Sequence, residues 1–187
     1  MPSLSEADRR AALELARTAV IAAVAHCKLP DSFPRGGVFA ERRGVFVTLH
    51  MRNRLQGCIG VIEAKEPLGE AIVRCSASAA LEDPRFAPMK TEQLSGLRIE
   101  ISLLSTMEPI APECIEIGRH GLFVCLHAQR GLLLPQVAIE HQLTPEQFLE
   151  ETCRKAGLPR EAWRDPEARL FGFTCEVFSE SSHPESA

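Results

Sequence analysis

Apolar residues recur at helical spacing near the start of the chain. Leu13, Ala16, Val20, Val24 and Cys27 fall on one stripe, the pattern of a helix that buries one face. Ser5 followed by Asp8 supplies a capping-box start. Pro30 is expected to stop this helix, and residues 30–37, Pro-Asp-Ser-Phe-Pro-Arg-Gly-Gly, read as a loop. The period then drops towards two. Residues 37–49 predict two strands joined at Arg42-Arg43-Gly44. Residues 51–54 form a polar connection, and residues 55–64, Leu-Gln-Gly-Cys-Ile-Gly-Val-Ile-Glu-Ala, predict a third strand interrupted by two glycines. Antiparallel neighbours joined by short loops are the economical arrangement.

Helical spacing returns after Pro67, with Leu68, Ala71, Ile72, Cys75 and Ala79 on one face. This helix is expected to end near Glu82-Asp83-Pro84, because the residue before a proline is driven out of the helical region. Residues 97–105 alternate: Ile99, Ile101 and Leu103 share one face, while Arg98, Glu100 and Ser102 share the other. Short strands are predicted at 121–127 and 131–135. Helices are predicted around 137–142 and from Pro145 to a Gly157 cap, and a last strand over 170–178. Residues 179–187 are small and polar and are expected to fray. There is neither a tandem repeat nor a linker. Hairpins interleaved with helices predict an α+β fold rather than a doubly wound parallel sheet.

Composition narrows the function classes. The 187 residues carry a formal net charge of −4, so the whole-chain field repels phosphate. Aromatic residues are 5% with no tyrosine, which leaves few stacking platforms for single strands and makes nucleic acid an unfavoured partner. Seven cysteines (Cys27, Cys58, Cys75, Cys114, Cys125, Cys153 and Cys175) are odd in number and evenly spread. That is neither a disulfide framework nor zinc-knuckle spacing. Reduced thiols and a cytoplasmic location follow. Charges interrupt the N-terminal apolar stretch, so it does not read as a signal peptide, and no run is long enough to span a membrane. No phosphate loop, dinucleotide fingerprint, zinc-protease helix or hydrolase elbow occurs. Neither metal nor cofactor is expected.

The most unusual local sequence is Gly57-Cys58-Ile59-Gly60. Glycines within a strand mark a bulge or a close backbone approach. They could also leave peptide groups and the Cys58 thiol within reach of a ligand. The competing reading is that Cys58 packs as a small hydrophobe. A reactive thiolate needs a nearby cation, and Arg52, Arg54 and Arg85 are the candidates. Asp83-Pro84-Arg85-Phe86-Ala87-Pro88 is a second cluster. Either its prolines hold Asp83 and Arg85 outward for a ligand, or Asp83 pairs locally with Arg85 and Phe86 plugs the core. Glu100 and Ser102 must be paired or functional if their face is covered, and are merely solvated if it is open. His120 or His141 could serve as base to a thiol, although spacing selects neither. Arg42, Arg43, Arg52 and Arg54 read as solvated hairpin turns, and Trp163 as an anchor for the segment between Pro159 and Pro166.

These segments together carry a resemblance. The runs at 55–60, 83–88, 100–105, 120–124, 131–138 and 155–158, with the single Trp163, resemble the AMMECR-one family in order along most of the chain. The family's signature hexapeptide has arginine where this chain has Gln56, which removes a fixed cation and its forked donors. The resemblance implies one AMMECR-like domain over residues 1–187. It would be built as two intimately packed lobes with antiparallel sheet, the signature lying near a cleft. It implies no established reaction, and it implies Memo-like and radical-SAM proteins as partners. Three readings follow. In the first, the chain is a small-molecule-binding or enzymatic subunit with Cys58 as nucleophile. Glu100 and His120 are then candidate catalytic groups, and Gln56, Gly57, Ile59, Gly60, Asp83, Arg85, Phe86 and Ser102 candidate ligand contacts. In the second, it is a non-catalytic module docking those partners. The third is a nucleic-acid role.

Overall fold

The first helix, α1 (Glu6–Val24), begins where Ser5 accepts the Asp8 N–H and buries Ala12, Ala16, Ala19 and Val20. It ends before Pro30, contrary to expectation. His26 takes a positive φ of 53°. The N–H groups of His26 and Cys27 return to the carbonyls of Ala23 and Ala22. That doubled bonding closes a helix without a proline. The computed structural model describes residues 4–31, 33–52, 54–63 and 65–180; most of the expected frayed tail, 181–187, lies outside them.

The chain divides into two compact units. One is formed by residues up to Leu103 together with those from Glu176, the other by Leu104–Cys175. In the first unit, β1 (Val45–Met51), β2 (Arg54–Val61), β3 (Leu97–Leu104) and β8 (Cys175–Ser179) form a sheet in the order β2-β1-β3-β8. The pairings of β1 with β2 and with β3 are antiparallel. Helices α1 and α2 (Leu68–Leu81) cover one face, and Val45, Val47, Leu49, Ile99 and Ile101 meet them there, all 1% exposed or less. Only one strand forms in 37–49. Residues Gly37–Ala40 make a 3-10 turn that sends Phe39 into the core. Both edges of β1 are already taken by β2 and β3, so no slot remains for another strand beside it.

The second unit has a sheet of β4 (Glu108–Pro109), β7 (Arg169–Phe173), β5 (Gly121–Leu126) and β6 (Gln129–Leu133), in the order β4-β7-β5-β6. Helices α3 (Pro135–Glu140) and α4 (Pro145–Lys155) complete it. Thr144 and Gln147 cap α4 reciprocally, and Gly157, at φ 74°, turns the chain after it. Trp163 packs against both apolar clusters of this unit, which makes it the expected anchor. The expected last strand over 170–178 is two strands, β7 and β8, in different sheets. The switch falls at Thr174, where the backbone bonds Ser105: Thr174 N–H donates to Ser105 Oγ and Ser105 N–H to Thr174 O. Helices with two antiparallel sheets make the α+β fold that the periodicity predicts.

Candidate functional site

Strand β2 lies at the edge of the first sheet, and its glycines answer to packing. A Cβ on Gly57 would stand 2.1 Å from the Ala79 carbonyl oxygen, so α2 can only press this closely on a residue without a side chain. A Cβ on Gly60 would meet the Phe46 ring at 2.3 Å and the Val45 oxygen at 2.5 Å. The β1–β2 register slips between Leu49 and His50: Leu49 opposes Gly57 while His50 opposes Leu55. Gln56 is therefore the extra residue of a bulge, half-buried and without a direct partner on β1.

Cys58 is held from outside the sheet. Its N–H donates to Asp83 Oδ2 at 2.8 Å, and its carbonyl accepts from Arg85 Nη2 at 3.1 Å. Asp83 is 5% exposed. It also accepts the Arg85 backbone N–H and the Arg85 Nε and Nη2 donors, the last at 2.7 Å. The Arg85 guanidinium holds the Asp83 carboxyl well below the usual carboxylate range, helped by the Cys58 and Arg85 amides. One ion pair thus supplies the acceptor and donor that a neighbouring strand would supply, which blunts an edge open to stray pairing. Asp83 does not point outward, and Phe86 is half-buried beneath the Arg85 guanidinium, 5.4 Å from ring centroid to Cζ, rather than plugging the core.

The thiol itself points to the sheet face away from the helices. Gly57 meets α2 and Ile59 packs into the core, so Cys58 between them faces the other way. Thr48, opposite on β1, donates its hydroxyl to Cys58 Sγ at 3.3 Å. Thr48 in turn opposes Glu100 on β3. Thiol, hydroxyl and carboxylate form one row across three strands. Because the Cys58 peptide groups turn away from β1, Cys58–Thr48 is the closer type of antiparallel pair, with Cα atoms about 4.5 Å apart. One step along, His50 opposes Arg98. The His50 Nε2 atom is buried and has no hydrogen-bond partner among the described residues. Burial lowers its imidazole pKa, Arg98 lowers it further, and Glu100 opposes them. All seven cysteines are free, and no group of acidic, histidine or cysteine side chains among the described residues could hold a metal.

The AMMECR1 family model matches residues 13–178 of this chain. The chain belongs to the AMMECR1 family. A protein of Methanothermobacter thermautotrophicus is 42% identical over 187 residues, covering 95% of this chain and 96% of the relative. One of Thermoplasma acidophilum is 42% identical over 177 residues, covering 90% and 85%. The crystal structure of an uncharacterized protein from Pyrococcus horikoshii matches with a TM-score of 0.83 at 38% identity, covering 91% of this chain and 90% of that one. The family resemblance and the α+β fold read from the sequence both hold.

The sheet of this AMMECR1 member gathers Cys58 and Glu100 into one row, with Gly60 and Ser102 on either side of Phe46 in the next. Ser102 is 2% exposed, so the polar side of β3 is covered there. Of the candidate cations, Arg85 is the one that touches Cys58; Arg54 and Arg52 are exposed, at the head of β2 and in the turn before it. His120 belongs to the second unit, where its Nδ1 accepts the Glu116 N–H at 3.1 Å, and His141 is exposed in the same unit. The sequence reading passed over Thr48 and His50. Their signal was the alternation Val45-Phe46-Val47-Thr48-Leu49-His50, which sends two polar side chains to one face. No helix among the described residues is long and apolar enough to cross a membrane.

Proposed function

We propose that this protein is a small-molecule-binding or enzymatic subunit that works on the polar face of its first sheet, with Cys58 as nucleophile. The observation that carries this reading is the Cys58–Thr48–Glu100 row, in which the Thr48 hydroxyl donates to the sulfur of half-buried Cys58 and Glu100 stands on the far side of that hydroxyl. A hydroxyl donor stabilises negative charge on sulfur, and Glu100 is the neighbouring acid–base group. Asp83 and Arg85 fix the strand that presents the thiol. Iodoacetamide kinetics at neutral pH test the reading. Cys58 is expected to react faster than a free model thiol, and Thr48→Val to slow it several-fold. Reaction at the model-thiol rate or slower removes the nucleophile.

A second reading, a non-catalytic module that docks Memo-like or radical-SAM proteins, is favoured by the free end of β2, where Arg54 is exposed and Leu55 is 41% exposed. It predicts co-purification with such a partner that survives Cys58→Ala and is lost in Leu55→Asp. Absence of any stable complex would set it aside. Enlarging the signature glycines would not discriminate, since Gly57 is already in contact with α2.

A further inference from the structure

The sheet face around Cys58 holds three polar side chains with little to do inside the fold. His50 and Arg98 face each other across β1 and β3, and Glu100 follows Arg98 on the same face. All three are half-buried. Neither Arg98 nor Glu100 forms an ion pair or side-chain hydrogen bond with any described residue, and His50 Nε2 is buried without a partner. Burying an imidazole nitrogen without a partner costs free energy, and that cost is offset when a ligand supplies the acceptor; Arg98, half-buried across from it, adds a fixed positive charge. The partner that suits both groups is an oxyanion. It accepts the forked donors of Arg98 and a hydrogen from His50. Glu100 repels negative charge from the Cys58 row, which leaves the His50–Arg98 end for the anion.

Resting on the reading of Cys58 as nucleophile, we propose that His50 and Arg98 form the oxyanion-binding half of the same site and take the carboxylate or phosphate of a small ligand. The rows are two residues apart along β1 and β3, about 7 Å. The ligand class is therefore a short carboxylated or phosphorylated compound with its electrophilic centre about that far from the anionic group. Thr48, Glu100 and Cys58 surround the reacting end, and Ser102, one row beyond, bounds the polar strip.

Titration of the full chain, labelled at histidine and followed by NMR, tests this. The probes are succinate and inorganic phosphate, each compared with chloride at equal ionic strength, and His50→Gln assigns the His50 signal. The expected result is a saturable shift of His50 with succinate, phosphate or both, while the other histidines move only as they do in chloride. Arg98→Gln is expected to weaken the effective probe by about tenfold or more, the loss of one charge-assisted contact. A His50 shift no larger than that in chloride for both probes, or one unchanged in Arg98→Gln, overturns the proposal. Cys58 alkylation and His50 titration are read on different atoms of the same wild-type protein, so a failure of the anion site and a failure of the nucleophile are told apart.

Discussion

Cys58 differs from the other thiols in its neighbours. Cys75, on α2, is fully buried, and burial pushes its thiol up to about 11. It is expected to resist alkylation until the protein unfolds. Cys58 is half-buried, takes a hydroxyl donor at sulfur, and has its peptide groups clamped by Asp83 and Arg85. The clamp gives a pH prediction. A carboxyl held below its usual range contributes stability that is present above the unfolded value, about pH 4, and is lost as pH falls through the folded value. Asp83→Asn is expected to cost about 1–3 kcal/mol near neutrality. That gap should narrow as pH falls below about 4, measured by urea unfolding at several pH values. A gap constant across the range would show that the ion pair is not what Asp83 contributes.

At the scale of elements, β2 is shaped by a helix on one side and a salt-bridged loop at its edge. Gly57→Ala must displace the Ala79 backbone rather than a movable side chain. It is expected to destabilise the protein by on the order of 3 kcal/mol in chemical denaturation, and a cost below measurement error would contradict the contact. The sequence showed that strand glycines mean close approach or a bulge, and both occur here: approach at Gly57 and a bulge at Gln56. It could not show the partner, because Ala79 lies 22 residues further along and meets Gly57 only through tertiary packing. It offered two readings of Asp83, and burial of that side chain decides between them. The Thr48–His50 face was legible as alternation. Its meaning depended on the register that sets Thr48 between Cys58 and Glu100, which strand periodicity alone does not fix.

At the scale of the molecule, the chain leaves its first unit after Leu103 and returns to it at Glu176. The returning segment supplies β8 beside β3. It also carries Glu176, 2.8 Å from Arg9, and Glu180, 2.5 Å from Arg17. Glu180 further accepts the Ile99 N–H and donates its own N–H to the Ile99 carbonyl. Truncation after Cys175 therefore opens an edge of the sheet and removes the Glu176 and Glu180 carboxylates that pair with Arg9 and Arg17 of α1. It is expected to abolish the cooperative thermal transition of the first unit, followed by circular dichroism; an unchanged melting profile would contradict this role. The sequence hid the arrangement because residues 170–178 form one unbroken β-like run, and the change of sheet at Thr174 rests on its backbone bonds to Ser105.

A nucleophilic role for Cys58 requires the first sheet to present a usable sulfur. Native protein treated with less than one equivalent of iodoacetamide, then unfolded and fully labelled with an isotopic reagent, reports the early reactivity of each cysteine by mass spectrometry. Cys58 is expected to take the first label ahead of the exposed Cys27 and Cys114. Label on Cys27 and Cys114 with Cys58 left to the second reagent would contradict it.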